Sequence, residues 1–276
     1  MSQLSKNLIK KSSGEVEPFS SKKLFTSVSR TGLDKDCCHE IADEVSRKIK
    51  KNTSTKDIFK HTIKLIKKRS AVAAIRYSLK KSLLQLGPTG YDFEKFVAKF
   101  FDSNGFQTKV GQKIKGQFVI HEVDVVATKE NEKYFAECKF HNNSAKKNDV
   151  KITLYVKARW DDLKSEVEQR NLKKFYIVTN TSFTKDALAY GNGVGLRLLG
   201  VNAPEDESFL DLIKKKKLYP ITSLLRLKKK YIKPLLNKNI ILCSELVTKK
   251  SATLSVGMTE EEIQQVISDI KILLHS

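Results

Sequence analysis

Two β-rich runs, QFVIHEVDVVAT over 117–128 and KYFAECKF over 133–140, constrain this chain more than any other stretch. Too few residues separate them for a crossover, so they pair as antiparallel neighbours. Around them the periodicity alternates. An amphipathic helix over 91–103 carries Phe93, Phe96, Val97, Phe100 and Phe101 on one stripe. A strand follows at 106–110. Beyond the two runs come a helix at 148–164, a strand at 174–180, a short helix at 183–190 and a strand at 196–201. The order α-β-β-β-α-β-α-β, a meander continued through helical connections, predicts a mixed sheet with helices on both faces.

Ahead of this block, 6–20 reads as a short hairpin with Ser12-Ser13-Gly14 at its turn, Gly14 supplying a positive φ. Four helices follow, opened by Ser20 or Ser21, by Asp34, by Thr55 and Asp57, and by Ser70. Gly87-Pro88 ends the last. After about residue 202 the chain is helical and very basic: Lys214–Lys217, Arg226, Lys228–Lys230 and Lys233 stand without an acidic residue among them. A capping box at Thr259 and Glu262 starts a final helix over 259–274, which either packs on the core or mediates self-association as a homodimer. The expected domains are 1–87, 88–201 and 202–276.

Charge narrows the function. Lys and Arg number 52 against 31 Asp and Glu, a formal net charge of +21. That balance favours a polyanion, DNA or RNA first. No apolar run is long enough to span a membrane, and the start of the chain lacks the apolar core of a secretory signal. The cysteines Cys37, Cys38, Cys138 and Cys243 form no CxxC and read as reduced thiols of a cytoplasmic protein. The histidines show no zinc spacing.

The two β-rich runs also carry chemistry. Asp124 lies in the first, and Glu137-Cys138-Lys139 in the second. Glu137 and Lys139 are two apart, so both side chains leave one face. Pairing of the runs sets Asp124 beside Glu137. Two carboxylates with the Cys138 backbone carbonyl make a hard oxygen site for Mg²⁺ or Mn²⁺, and Lys139 steadies the attacking water and the phosphate. Glu94, on the margin of the 91–103 stripe, reaches inward as a third carboxylate. The bland alternative is a Lys salt bridge to Glu137 or Asp124. Lys157 and Arg159, on the helix after the motif, are expected to face DNA, with Trp160 in the core. His121 is expected to be a core or helix-packing residue and not a catalytic one, and His141-Asn142 to touch phosphate or make a turn. The basic residues Lys214, Lys215, Lys216, Lys217, Arg226, Lys228, Lys229, Lys230 and Lys233 suit phosphate tracking along a duplex.

The motifs GYDFEKFVAKFF, HEVDVVA, YFAECKFHN, LYVKARW, FYIVTNTSFT and GVGLRLLG, in that order over 87–199, resemble the Mrr-type restriction endonuclease branch of the PD-(D/E)XK superfamily. The resemblance implies Mg²⁺-dependent DNA cleavage with Glu94, Asp124, Glu137 and Lys139 as the site. Many Mrr-type members have Gln where this sequence keeps Glu137, a departure that favours metal binding. The stretch LIKKSSGEVEPFSSKKL with four helices behind it resembles the ATP-cone, which implies ATP or dATP as a regulatory ligand at Ile9, Lys10, Lys11, Glu17 and Lys23. Ser12 and Phe59 depart from that pattern and put the binding in question. The function expected is thus a DNA endonuclease under nucleotide control. The alternatives are a catalytically silent, ATP-responsive DNA-binding or transcription regulator, and a resolvase or RNA nuclease with the same core.

Overall fold

A computed structural model describes residues 7–11, 14–166 and 171–275. It divides into two compact units, the residues through Leu79 together with those from Ser268 on, and Lys80–Ile267.

The first unit opens with strands β1 (Leu8–Lys10) and β2 (Val16–Pro18), antiparallel with Ile9 opposite Glu17. Gly14 adopts φ +90°, as its place in the turn requires; Ser12 and Ser13 lie outside the described residues. Helix α1 (Ser21–Ser29) is capped by Ser20, which accepts from the Lys23 amide at 3.2 Å, and α2 (Lys35–Lys48) by Asp34, which accepts from the Cys37 amide at 2.7 Å. A strand that local sequence does not signal, β3 (Thr53–Ser54), runs parallel to β1 and leads into α3 (Thr55–Arg69), capped by Ser54. Helix α4 (Ala71–Leu83) stops short of Gly87-Pro88. Ile9, Leu24, Val28, Ile41, Val45 and Ile66 form the core of these elements. The hairpin and four helices are therefore as expected.

The second unit is built on a five-stranded sheet. Helix α5 (Tyr91–Asp102) precedes β4 (Gln107–Lys115), β5 (Ile120–Lys129) and β6 (Glu132–Lys139). A two-residue strand β7 (Lys147–Asn148) leads into α6 (Val150–Ser165), which returns the chain to β8 (Leu172–Thr179). Then follow β9 (Ser182–Phe183), paired with β7, then α7 (Lys185–Gly193) and β10 (Arg197–Leu199). The sheet order is β10-β8-β6-β5-β4, with the β4–β5–β6 meander antiparallel and β6–β8–β10 parallel. Helices cover both faces. Phe101 of α5 meets Tyr176 edge-on at 5.1 Å, while Val156, Trp160 and Leu163 of α6 pack with Phe175 and Ile177, the neighbours of Tyr176 that point the other way.

The basic carboxyl-terminal residues up to Ile267 are counted with this unit. Helix α8 (Phe209–Lys215) drives Phe209 among Phe93, Phe96 and Phe100 of α5 at 5.4–6.5 Å. Each fully buried phenylalanine contributes about 2 kcal/mol, so this contact fixes α5. Helices α9 (Lys229–Asn237), α10 (Cys243–Thr248), α11 (Lys250–Leu254) and α12 (Glu260–His275) complete the chain. Among the described residues no helix is long and apolar enough to cross a membrane.

Candidate active site

The β5–β6 ladder runs from Lys129↔Glu132 to Val125↔Ala136, so Asp124 and Glu137 are the next positions along it. Asp124 Oδ2 accepts a 2.6 Å hydrogen bond from the Cys138 amide, which ties the middle of β5 to the motif in β6. Glu137 and Lys139 leave one face as their spacing dictates: Lys139 Nζ lies 2.6 Å from Glu137 Oε1. The backbone beneath them is braced, since Thr179 Oγ1 donates to the Lys139 carbonyl at 2.7 Å.

Glu94 joins the cluster from the first turn of α5. It is half-buried, and among the described residues its carboxyl accepts no hydrogen bond. Burial, then the charges of Asp124, Glu122 and Glu137, pushes its pKa up to about 7. Asp124 is pushed up to about 6, first by burial and then by Glu137, against the lowering effects of the Cys138 amide, Lys139 and Arg159. Three carboxylates thus share a space in which neighbouring negative charge makes ionisation of Glu94 and Asp124 harder. They do not form a closed cage: among the described residues no group of three or more His, Cys, Asp or Glu is arranged to hold a metal.

Arg159 departs from its expected place. It is 6% exposed, and its Nη1 lies 2.5 Å from Glu137 Oε2. It faces the motif and not a nucleic acid. A bare carboxylate at Glu137, itself 5% exposed, would cost several kcal/mol, and Arg159 removes that cost. The spacing Val156–Arg159–Trp160–Leu163, all buried on α6, could have shown the arginine pointing inward. Trp160 is in the core and His121 packs against α6, bonded to Asp162 at 2.6 Å.

Beyond Lys139 lies a polar network that local sequence only hinted at. The backbone amide of His141 donates to Asn180 Oδ1, and the Asn180 side-chain amide donates to the His141 carbonyl, each at 2.9 Å. The His141 ring meets Asn148 Oδ1 at 2.9 Å, and Asn148 donates to Thr179 at 3.0 Å. His141 therefore has a turn-fixing role.

The expected DNA contacts divide. Lys214 pairs with Asp211 at 3.1 Å, Lys215 with Glu207 at 2.8 Å, Lys228 with Glu262 at 2.5 Å, and Lys157 with Asp161. Internal partners hold these four. Lys216 and Lys217 are half-buried, and Arg226, Lys229, Lys230 and Lys233 are exposed. Lys229 and Lys233 line a cleft of about 670 Å³ with Tyr91, Asp92 and Lys95 of α5.

In the first unit, Lys11 and Lys23 converge on Glu17 at 2.9 and 3.6 Å. That contact holds the Lys11 ammonium above its ordinary pKa and the Glu17 carboxyl below its own. Lys10 is exposed, whereas Ile9 is a core residue at 6% exposure.

The chain is similar to known proteins over most of its length. The Mrr_cat restriction endonuclease family matches residues 87–203, and the family described as AF1548-like, C-terminal, matches 219–274. An uncharacterized protein of Archaeoglobus fulgidus is 34% identical over 176 residues, which cover 63% of this chain and 98% of the relative. A crystal structure titled as the protein of unknown function AF1548 superposes with a TM-score of 0.55 at 31% identity, covering 67% of this chain and 99% of that one.

Proposed function

The chain belongs to the AF1548-like family, with a restriction-endonuclease domain of PD-(D/E)XK-like type, and on that premise we propose that it is a Mg²⁺-dependent endonuclease that hydrolyses phosphodiester bonds in DNA. The observation that carries this is the convergence of Glu94, Asp124 and Glu137 with Lys139. Two of the carboxyls are pushed up to about 7 and about 6 in part by their neighbours' charge. A cluster of that kind has a surplus of negative charge that a hard divalent cation neutralises. The residues therefore fit such an ion in donor type, with Glu94, Asp124, Glu137 and the Cys138 carbonyl to hold it.

A bound divalent cation supplies Lewis-acid charge to the phosphate and lowers the pKa of the attacking water. The chain's own groups do the rest. The Cys138 amide fixes Asp124 through Oδ2 and leaves Oδ1 for the ligand. Arg159 holds Glu137 Oε2 and so sets the rotamer of the carboxylate. Lys139 is a half-buried point charge paired with Glu137 Oε1. It turns from Glu137 to the non-bridging phosphate oxygens, orients the water and offsets charge as the P–O bond to the leaving oxygen breaks.

The test is supercoiled plasmid incubated with the protein in Mg²⁺ or in EDTA. Nicking in Mg²⁺ alone, lost in Asp124→Ala and Glu137→Ala with DNA binding retained, supports the proposal. Nicking that persists in Glu137→Ala rejects the site.

One observation favours a second reading, a catalytically silent DNA-binding regulator: both Glu137 oxygens are already held, by Arg159 and Lys139. A protein of that kind binds DNA equally in EDTA and Mg²⁺ and yields no fragments.

The regulatory part of the proposal concerns the hairpin. Lys11 and Lys23 are gathered at Glu17 beside exposed Lys10, a set of cations suited to the phosphates of ATP or dATP. Calorimetry should detect ATP or dATP binding that Lys11→Ala removes. Absence of binding by both nucleotides would defeat this part alone.

A further inference from the structure

The turn between β4 and β5 has a property that its sequence alone does not explain. Phe118, Val119 and Ile120 are 79%, 57% and 69% exposed, three consecutive large apolar side chains in water. Isolated exposed hydrophobics are common, but a contiguous set marks an interaction surface.

The backbone beneath them is held firmly. The Gly116 amide donates to the Val119 carbonyl at 2.8 Å, and the Gln117 amide to the Asp162 carbonyl at 3.1 Å. The Phe118 amide donates to Asp162 Oδ1 at 2.9 Å, and Asp162 Oδ2 meets His121 Nε2 at 2.6 Å. Burial alone would raise the Asp162 carboxyl, yet hydrogen bonds from His121 and from the Phe118 and Val119 amides hold it below its ordinary value. Gly116 is part of the same device. A Cβ there would lie 2.1 Å from Asp162 Oδ2 and 2.9 Å from the Val119 carbonyl. Helix α6 thus clamps the turn from below, and the apolar side chains project from a rigid base. Ordering entropy that a contact would otherwise cost has already been spent in folding.

Two observations say what such a tip meets. It sits at the edge of the sheet, where β4 presents exposed Lys109, Lys113 and Lys115, with Lys115 in register with Ile120. Apolar residues framed by lysines complement a polyanion with an apolar interior. Ile120 is also four residues from Asp124 on the same strand, about 13 Å, which is about four base-pair steps of DNA.

We propose that Phe118, Val119 and Ile120 form a preorganised wedge that inserts between base pairs of the duplex a few steps from the scissile phosphate, unstacking them. Apolar wedges of this kind kink DNA and enlarge the contact surface. The inference rests on DNA being the substrate, and it names an element of recognition that the carboxylate site does not supply.

The test uses the full chain in EDTA with a set of duplexes, each carrying 2-aminopurine at a different step. Wild type should raise the fluorescence at one or two adjacent steps. Phe118→Ser should abolish the rise and weaken binding about tenfold, the loss expected for one aromatic contact. Its exposed position makes the fold tolerant of the change. Asp162→Ala, which frees the turn but keeps Phe118, should reduce the rise without removing it. No rise at any step in wild type, or an undiminished rise in Phe118→Ser, overturns the proposal. So does light scattering that finds a wild-type dimer which Phe118→Ser makes monomeric, because the tip then docks a second copy. Cleavage of the same duplexes in Mg²⁺ separates the two claims. Unstacking without cleavage defeats the nuclease reading alone, and cleavage without unstacking defeats the wedge alone.

Discussion

Asp124 and Asp162 are both half-shielded carboxylates set against strand β5, one near its middle and one beneath its first residues, and their surroundings treat them in opposite ways. Asp162 receives hydrogen bonds from His121 and from the amides of Phe118 and Val119, and its pKa falls. Asp124 receives one backbone hydrogen bond but is buried beside Glu137, and its pKa rises to about 6. The same residue type is an anchor in one place and an unmet charge in the other. Proximity to a strand does not distinguish them; the balance of donors against neighbouring acids does.

The largest test of that contrast is catalytic. Asp124→Ala, Glu137→Ala and Lys139→Ala should each lower plasmid nicking by ~10³-fold or more, as loss of a transition-state contact does. Asp162→Ala should leave the nicking chemistry in place, measured at saturating DNA.

Stability reverses the order. Asp162→Ala strands His121 and the turn amides, a loss of about 1–3 kcal/mol that urea unfolding should register. Asp124→Asn in metal-free protein should unfold no more readily than wild type, because it removes a repelled charge. A metal-free Asp124→Asn protein that is much less stable would break the comparison.

The pH dependence follows from the same contrast. Glu94 and Asp124 have folded pKa values of about 7 and about 6, above their ordinary 4.5 and 3.8. The folded state therefore binds these protons more tightly than the unfolded state. Their contribution favours folding at low pH and is lost progressively as pH rises from about 4, where the unfolded acids ionise, to about 7, where the folded ones have ionised. Thermal unfolding in EDTA between about pH 5 and 8 should show this decline, and Glu94→Gln should flatten it.

The smallest effects concern the lysines. Lys229→Ala and Lys233→Ala should each reduce the salt dependence of DNA binding by about one unit of slope. Lys214→Ala, at a side chain already paired with Asp211, should change it little.

These elements also differ in how legible they were. The caps at Ser20 and Asp34 were legible because a cap is satisfied within three residues. The pairing of Asp124 with the Glu137–Lys139 strand followed from alternation and a short connection. The turn at 117–119 was not legible: QFVI has strong β propensity, but Asp162, more than forty residues later, takes its amides and delays the start of β5 to Ile120. Arg159 was misplaced for a related reason. A charged residue on a helix suggests solvent, and only the buried carboxylate of Glu137 makes the inward position favourable. Strand β3 depends on β1, some forty residues earlier, for its hydrogen bonds. Distant partners decide each of these cases.

The most direct measurement is calorimetric titration of Mg²⁺ or Mn²⁺ into the full chain at about pH 8 and about pH 5.5, in buffers of different ionisation enthalpy. If the acids are an unmet charge awaiting a cation, binding is tight at the higher pH, weaker at the lower, and accompanied there by proton release. Asp124→Asn abolishes it and Asp162→Asn does not. Binding that is absent at both pH values, or that survives Asp124→Asn unchanged, would contradict the claim that Glu94, Asp124 and Glu137 form a metal-dependent active site.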